Sequence, residues 1–242
     1  MELKEMIYHR KSFRSYINEQ LDINTLRQIE DFIKSAKRLY PREKLSWEII
    51  GPEKIKCILP WRAPHNIAIY AERNTEALVN LGFVFQQADL YLQSIGLGTC
   101  WLGMGKIANE AGEEFTEHSG MECVMMLAFG KSEESLRTGT NEFKRKTLAE
   151  IADRADEKLE CARLAPSAVN SQPWYFAHEG NVIHTYCMDR FFRKKFLGDM
   201  NKMDVGIALA HIYLENEDSF RYFTADNEPA QKGYLYIGSF EF

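Results

Sequence analysis

The chain has 242 residues, 45% of them apolar, enough to bury a full core as one domain. A net charge of −5 and a pI near 5.8 argue against a nucleic-acid partner, which would require a concentrated basic face. No apolar run is long enough to cross a bilayer; the closest, Leu90 to Met104, is interrupted by Gln93 and Ser94, so no membrane partner is expected.

In chain order, Met1-Glu2-Leu3-Lys4-Glu5 leads directly into a helical pattern from Leu3 to Tyr8, so no signal peptide is expected. The next stretch, His9 to Tyr16, concentrates Arg10, Lys11, Ser12 and Arg14. Guanidinium forks and a short hydroxyl suit an anion, although a solvated basic patch has the same composition. Asn24 is expected to cap a second helix reaching about Leu39, with Leu26, Ile29, Ile33 and Ala36 inward. Extended runs follow at Leu45–Ile50, stopped by Gly51-Pro52, and at Asn66–Ala71, and then a long helix over about Thr75–Ile95. Ile95 to Gly103 reads as a glycine-flanked turn into a strand, and Glu122–Phe129 as a buried central strand. A polar crossing segment, Ser132–Asn141, precedes the basic run Lys144-Arg145-Lys146.

An amphipathic helix is expected over about Glu150–Leu164, stopped by Pro166 because the residue before a proline leaves the α region. The turn after it presents Ser167, Asn170 and Gln172, all able to donate and accept hydrogen bonds, ahead of a strand over Trp174–Ala177. Such side chains suit a flat ligand rich in N–H and C=O groups, or they satisfy their own loop backbone. The tail reads as two strands, Phe220–Phe223 and Tyr234–Ile237. Arg190, Arg193, Lys194 and Lys195 form a further basic run, suited to a nucleotide phosphate or to solvent. Five cysteines without paired spacing point to reduced thiols in a cytoplasmic protein, and six scattered histidines give no metal-ligand spacing.

The two halves resemble each other. Arg38-Leu39-Tyr40-Pro41 recurs as Arg163-Leu164-Ala165-Pro166, and Trp47 recurs as Trp174. The stretch from Asn80-Leu81-Gly82-Phe83 recurs from Asp204-Val205-Gly206-Ile207, about 125 positions on. The expectation is one compact domain, 1–242, built of two intertwined half-repeats of about 1–145 and 146–242.

Several motifs carry a specific resemblance. Ala165-Pro166-Ser167-x-x-Asn170-x-Gln172-Pro173-Trp174 resembles the flavin-contacting motif of the flavin-dependent nitroreductase family. Arg10-Lys11-Ser12-x-Arg14-x-Tyr16 resembles its Arg-Arg-Ser-x-Arg-x-Phe/Tyr opening, and Lys144 to Ile151 its Arg-Lys-Pro-Leu-x-x-Ile block, with Thr147 in place of proline. The resemblance implies an α+β fold of mixed, largely antiparallel sheets covered by helices. It implies FMN as cofactor, with Arg10 and Ser12 near the phosphate and ribityl chain, Lys11 beside them and Arg14 at the N1/C2 edge. The amides of Leu102 and Gly103, with Trp101, would face flavin N5 and O4. Arg145, with Lys146 in reserve, would reach the phosphate, and Pro166, Ser167, Asn170 and Gln172 would close the opposite side.

Nitroreductases of this family are homodimers, one subunit giving the basic opening and the other the amide-rich turn. Here the first half keeps only the opening and the second only the turn. The resemblance narrows to the single-chain, Thermotoga-type nitroreductases and implies a monomeric pseudo-dimer with one FMN. The implied activity is NAD(P)H oxidation by two-step hydride transfer to a small-molecule acceptor such as a nitroaromatic or quinone, with the flavin carrying the chemistry. A same-fold enzyme of reductive dehalogenation or alkene reduction, a non-catalytic flavin-binding protein and a relic with no flavin are the alternatives.

Overall fold

The computed structural model describes residues 1–57, 59–103, 105–107, 121–188 and 191–242. Two four-stranded antiparallel sheets flank a pair of long helices, in an α+β arrangement. The first sheet comprises β1 (Leu45–Ile50), β3 (His65–Ala71), β4 (Gly98–Leu102) and β6 (Glu122–Gly130), in the spatial order β1-β3-β6-β4. The second comprises β7 (Trp174–Glu179), β8 (Val182–Met188), β9 (Arg221–Phe223) and β10 (Tyr234–Glu241), in the order β7-β8-β10-β9. Each sheet is made the same way: an antiparallel first and second strand, a long helix, an edge strand, then a last strand inserted between the second strand and that edge. A short pair, β2 (Ile55–Lys56) with β5 (Lys106–Ile107), lies apart.

The helices are α3 (Thr75–Ser94) and α6 (Phe191–Glu215). From Ala77 to Leu90 every side chain of α3 is buried, so this helix is a core element on all faces and carries no solvent stripe. Where the two helices cross they touch through backbone. A Cβ on Gly82 would lie 2.0 Å from the Met203 carbonyl oxygen, and one on Gly206 would lie 2.0 Å from that of Val79. Only glycine permits that approach at both positions. Asn74 caps α3 by accepting from the Ala77 N–H at 2.8 Å. Its far end closes as a left-handed turn at Gly96 (φ +86°), whose N–H reaches the Gln93 carbonyl.

The smaller helices differ from expectation. α1 is Leu3–Met6, and α2 (Ile23–Ser35) is capped by Asp22, with Asn24 inside the first turn. α2 also stops short of Leu39, because α3 captures the backbone that would have continued it. Gln87 both accepts from the Lys37 N–H (3.1 Å) and donates to its carbonyl (2.9 Å), while Asn80 Oδ1 accepts from the Leu39 and Tyr40 N–H groups. The single helix expected over 150–164 is instead α4 (Leu148–Ile151) and α5 (Glu160–Arg163), the latter entered through a 3-10 turn at Glu157–Leu159. Between them Ala152 pairs with Phe176 beside β7, and Asp153 takes up the His178 N–H and imidazole, so sheet pairing wins over helix propagation.

The two helices repeat their roles at a spacing of 124 positions. As Gln87 holds Lys37, so His211 holds the carbonyl of Cys161 (Nδ1 to O, 2.9 Å). As Asn80 holds backbone N–H groups of the turn after α2, so Asp204 holds that of Ala168. All five cysteines are free thiols, and among the described residues no helix is long and apolar enough to cross a membrane.

Candidate functional site

The basic segment after α1 is anchored from beneath. Gln93, near the end of α3, clamps Lys11 from both sides, accepting from its N–H (3.1 Å) and donating to its carbonyl (3.0 Å). The Phe13 N–H donates to the Thr99 carbonyl on β4 at 2.8 Å, and the Ser12 side chain lies beside the Cys100 thiol. Under the segment lies Asp89, fully buried, accepting from Arg10 Nε (3.1 Å), Gln86 Nε2 (3.0 Å), Gln93 Nε2 (3.3 Å) and the Thr99 hydroxyl. A carboxylate with this many donors is satisfied without water.

Arg10 is therefore a buried, paired cation. It is 1% exposed, its Nη2 donates to the Lys11 carbonyl, and its charge is met by Asp89. Lys11 is likewise met by Glu134, at 2.8 Å. The sequence reading, which set Arg10 first among the phosphate residues, lacked Asp89, 79 positions away.

The opposite lip is the turn from Ser167 to Gln172. Three of its non-glycine residues have left-handed backbone: Val169 (φ 48°), Asn170 (φ 55°) and Gln172 (φ 47°). For a β-branched valine this is a strained state, and it persists only where surrounding bonds over-determine it. Those bonds are present. Asp204 accepts from the Ala168 N–H with both oxygens at 3.1 Å, and the Gln172 N–H donates to Ser167 Oγ at 2.9 Å. Gln172 itself is buried, accepting from the Lys146 N–H (2.7 Å) and donating to the Asn170 carbonyl, while Lys146 Nζ donates to the Gln172 carbonyl. Gln172 and Lys146 thus hold the turn in shape and do not face the opening.

Between the lips lies a cleft of about 640 Å³, within the range of small-molecule and cofactor sites. The first half contributes Arg10, Lys11, Ser12 and Arg14 to its lining, the second contributes Pro166, Ser167 and Asn170, and Arg145 stands at the boundary between them. Eight of the thirteen residues singled out in the sequence meet here. Trp101, Leu102 and Gly103 do not line it; they continue β4 beyond Cys100, the neighbour of Ser12. The Trp101 indole donates to Gln86 Oε1 (3.2 Å), joining that strand to the Asp89 network. Of the basic run, Arg190 lies outside the described residues and Arg193, Lys194 and Lys195 are described only as backbone of α6; the loop from residue 108 to 120 also lies outside them.

The cleft carries an excess of positive charge: Arg10, Lys11, Arg14, Arg137, Lys144 and Arg145 face the carboxylates of Glu134 and Glu142. Arg145 donates through Nε to the carbonyls of Ala165 (2.9 Å) and Leu164, and through Nη1 to Asn170 Oδ1 (2.7 Å), with no carboxylate partner among the described residues. Its guanidinium is pushed down to about 10, first by burial and then by repulsion from Arg10, Arg137 and Arg163. Arg14 and Lys144 also lack ion-pair partners among the described residues, and Arg137 joins them in the lining. Arg137 and Lys144 were not singled out in the sequence. The available signal was a lone arginine in a segment, Ser132–Asn141, otherwise built of Ser, Thr, Glu, Gly, Leu136 and Asn141. A half-buried guanidinium without a counter-charge is a costly arrangement, and a bound anion would relieve it.

The chain matches the family model described as "Putative TM nitroreductase" over residues 2–216. Among solved structures it is similar to a putative nitroreductase from Thermotoga maritima, with 21% identity over 99% of this chain and 92% of that one and a TM-score of 0.66. It is also similar to a nitroreductase family protein from Clostridium difficile, with 18% identity over 62% of this chain and 96% of that one and a TM-score of 0.50. The fold is thus nitroreductase-like. No curated protein matches the chain.

Proposed function

The chain belongs to the family described as Putative TM nitroreductase, and from that premise we propose that it is an FMN-dependent NAD(P)H oxidoreductase acting as a one-chain pseudo-dimer. The carrying observation is Arg145: a half-buried, uncompensated guanidinium in a cleft whose lips come from opposite halves of the chain. The donor set fits a flavin mononucleotide. Arg145 and the Ser12 hydroxyl suit a phosphate, Asn170 and Ser167 suit the polar edge of a planar ring, and Arg14 adds charge where a reduced ring would carry it. When bound, FMN would supply the hydride chemistry linking NADH or NADPH to a small acceptor such as a nitroaromatic or quinone.

This chain's own part is binding and electrostatics. Arg145 is oriented by two carbonyls and an amide, so little side-chain entropy remains to be lost on binding. The Arg14 side chain is solvent-facing, so its attraction to extra negative charge is on the order of 1 kcal/mol. The repeated strand order and the 124-residue spacing of the helix contacts support the reading of an internal duplication with one working site, since only one turn retains Ser-x-x-Asn-x-Gln. Free thiols throughout are in keeping with a reducing, cytoplasmic setting.

The test is the visible spectrum of the purified protein, with the flavin-to-chain ratio and anaerobic bleaching by NADH or NADPH. One flavin per chain that bleaches is expected. A protein that stays colourless when offered FMN overturns the reading. A yellow protein that no nicotinamide nucleotide reduces is a flavin carrier, and two flavins per chain would refute the single site.

A further inference from the structure

Arg137 belongs to the segment crossing between the halves, and its backbone is tied to the basic opening in both directions. Its N–H donates to the His9 carbonyl at 2.9 Å, and the His9 ring donates back to the Arg137 carbonyl at 2.9 Å. Its guanidinium donates through Nη1 to the Arg10 carbonyl and lies 4.2 Å from the centre of the Phe143 ring. Arg145 approaches the same ring, at 5.6 Å. One aromatic ring therefore carries two guanidiniums, both lining the cleft and neither ion-paired among the described residues.

We propose that Arg137 is a cofactor-binding residue, the second guanidinium of a seat for a phosphomonoester dianion shared with Arg145 across Phe143. Arg10, its charge already met by Asp89, serves as scaffold to that seat. The inference rests on the flavin reading and narrows it. A monoester brings up to two charges to one phosphorus, which two forked cations match, whereas each phosphate of a dinucleotide's diester linkage brings one. Burial and repulsion from Arg10 outweigh the attraction of Glu142 and push the Arg137 guanidinium down, so an arriving dianion relieves strain at both arginines.

The experiment compares dissociation constants of FMN and riboflavin, by quenching of flavin fluorescence, for the wild type, Arg137→Gln and Arg137→Lys. Arg137→Gln is expected to weaken FMN by roughly tenfold to a hundredfold and leave riboflavin within about twofold, because the lost contact is a charged hydrogen bond to the phosphate alone. Arg137→Lys should fall between, and carries the same comparison if the glutamine variant does not fold. FMN and riboflavin weakening together, or neither changing, overturns the proposal, since a merely structural arginine would not discriminate between them. Should the wild type bind neither flavin, the flavin reading fails by itself. The seat is then tested with inorganic phosphate: a thermal upshift of the wild type that Arg137→Gln loses supports it, and no upshift in the wild type refutes it.

Discussion

Replacing His211 with glutamine should make the fold tolerant of acid. His211 is completely buried on α6, donating from Nδ1 to the Cys161 carbonyl and presenting Nε2 to the Gln86 amide at 3.1 Å. That tautomer is neutral, and burial, with Arg10 and Arg145 adding repulsion, pushes its pKa from 6.5 down to about 3. The unfolded chain therefore takes up the proton first. The stability contributed by neutral His211 is complete above about pH 6.5 and is lost as pH falls toward 3. At pH 4.5 the unfolded histidine is two units below its midpoint and the folded one still neutral, which costs about 2–3 kcal/mol relative to pH 7.5. Glutamine can supply the same donor and acceptor without titrating, as Gln87 does 124 positions earlier when it holds Lys37. The assay is urea unfolding of both proteins at pH 7.5 and 4.5, with equal ligand load. Other acids shift both curves alike, so the difference between the proteins isolates this residue. Wild type should lose about 2–3 kcal/mol more than His211→Gln across that interval; a difference between the two that does not change with pH refutes the argument.

Gly206→Ala should cost several kcal/mol in chemical denaturation, because its Cβ would sit 2.0 Å from the Val79 carbonyl oxygen, reversing the ~1 kcal/mol that alanine gains over glycine in an open helix. Val169→Gly should raise the melting temperature, gaining about 1 kcal/mol by relieving left-handed strain at a side chain 82% exposed; a lower melting temperature would show that the valine packs on something. Asp204→Asn should be tolerated and should stabilise the protein more at pH 8 than at pH 4. Burial raises the Asp204 carboxyl well above its usual range, so stability present at low pH is lost as pH rises through the folded value. Equal effects at both pH values would mean that Asp204 is ionised in the fold throughout that range.

Elements whose boundaries are set by local pattern were legible in the chain. The long helix expected over about Thr75–Ile95 lies at Thr75–Ser94, and the strand expected at Leu45–Ile50 has those same bounds. Failures occur where a distant partner decides. Nothing near Leu39 announces that Gln87 and Asn80 will take up the backbone and end α2 early, and nothing near Asp153 announces His178. The site follows the same division. Motif spacing brought Ser12, Arg145 and Asn170 forward, and the structure gathers them into one cleft. Which arginine keeps a free charge depends on Asp89 for Arg10 and on Phe143 for Arg137 and Arg145. No local rule assigns those partners, because burial and pairing are properties of the folded molecule.

Both lips of the cleft belong to one polypeptide, and that alters how it responds to dilution. In a subunit-built site, lowering the protein concentration separates the walls, so occupancy depends on protein level twice, through association and through ligand. In the proposed one-chain pseudo-dimer the facing wall would be present at a fixed effective concentration set by the connecting backbone, and only the free ligand concentration would govern filling. A cell could then keep this protein scarce without emptying it.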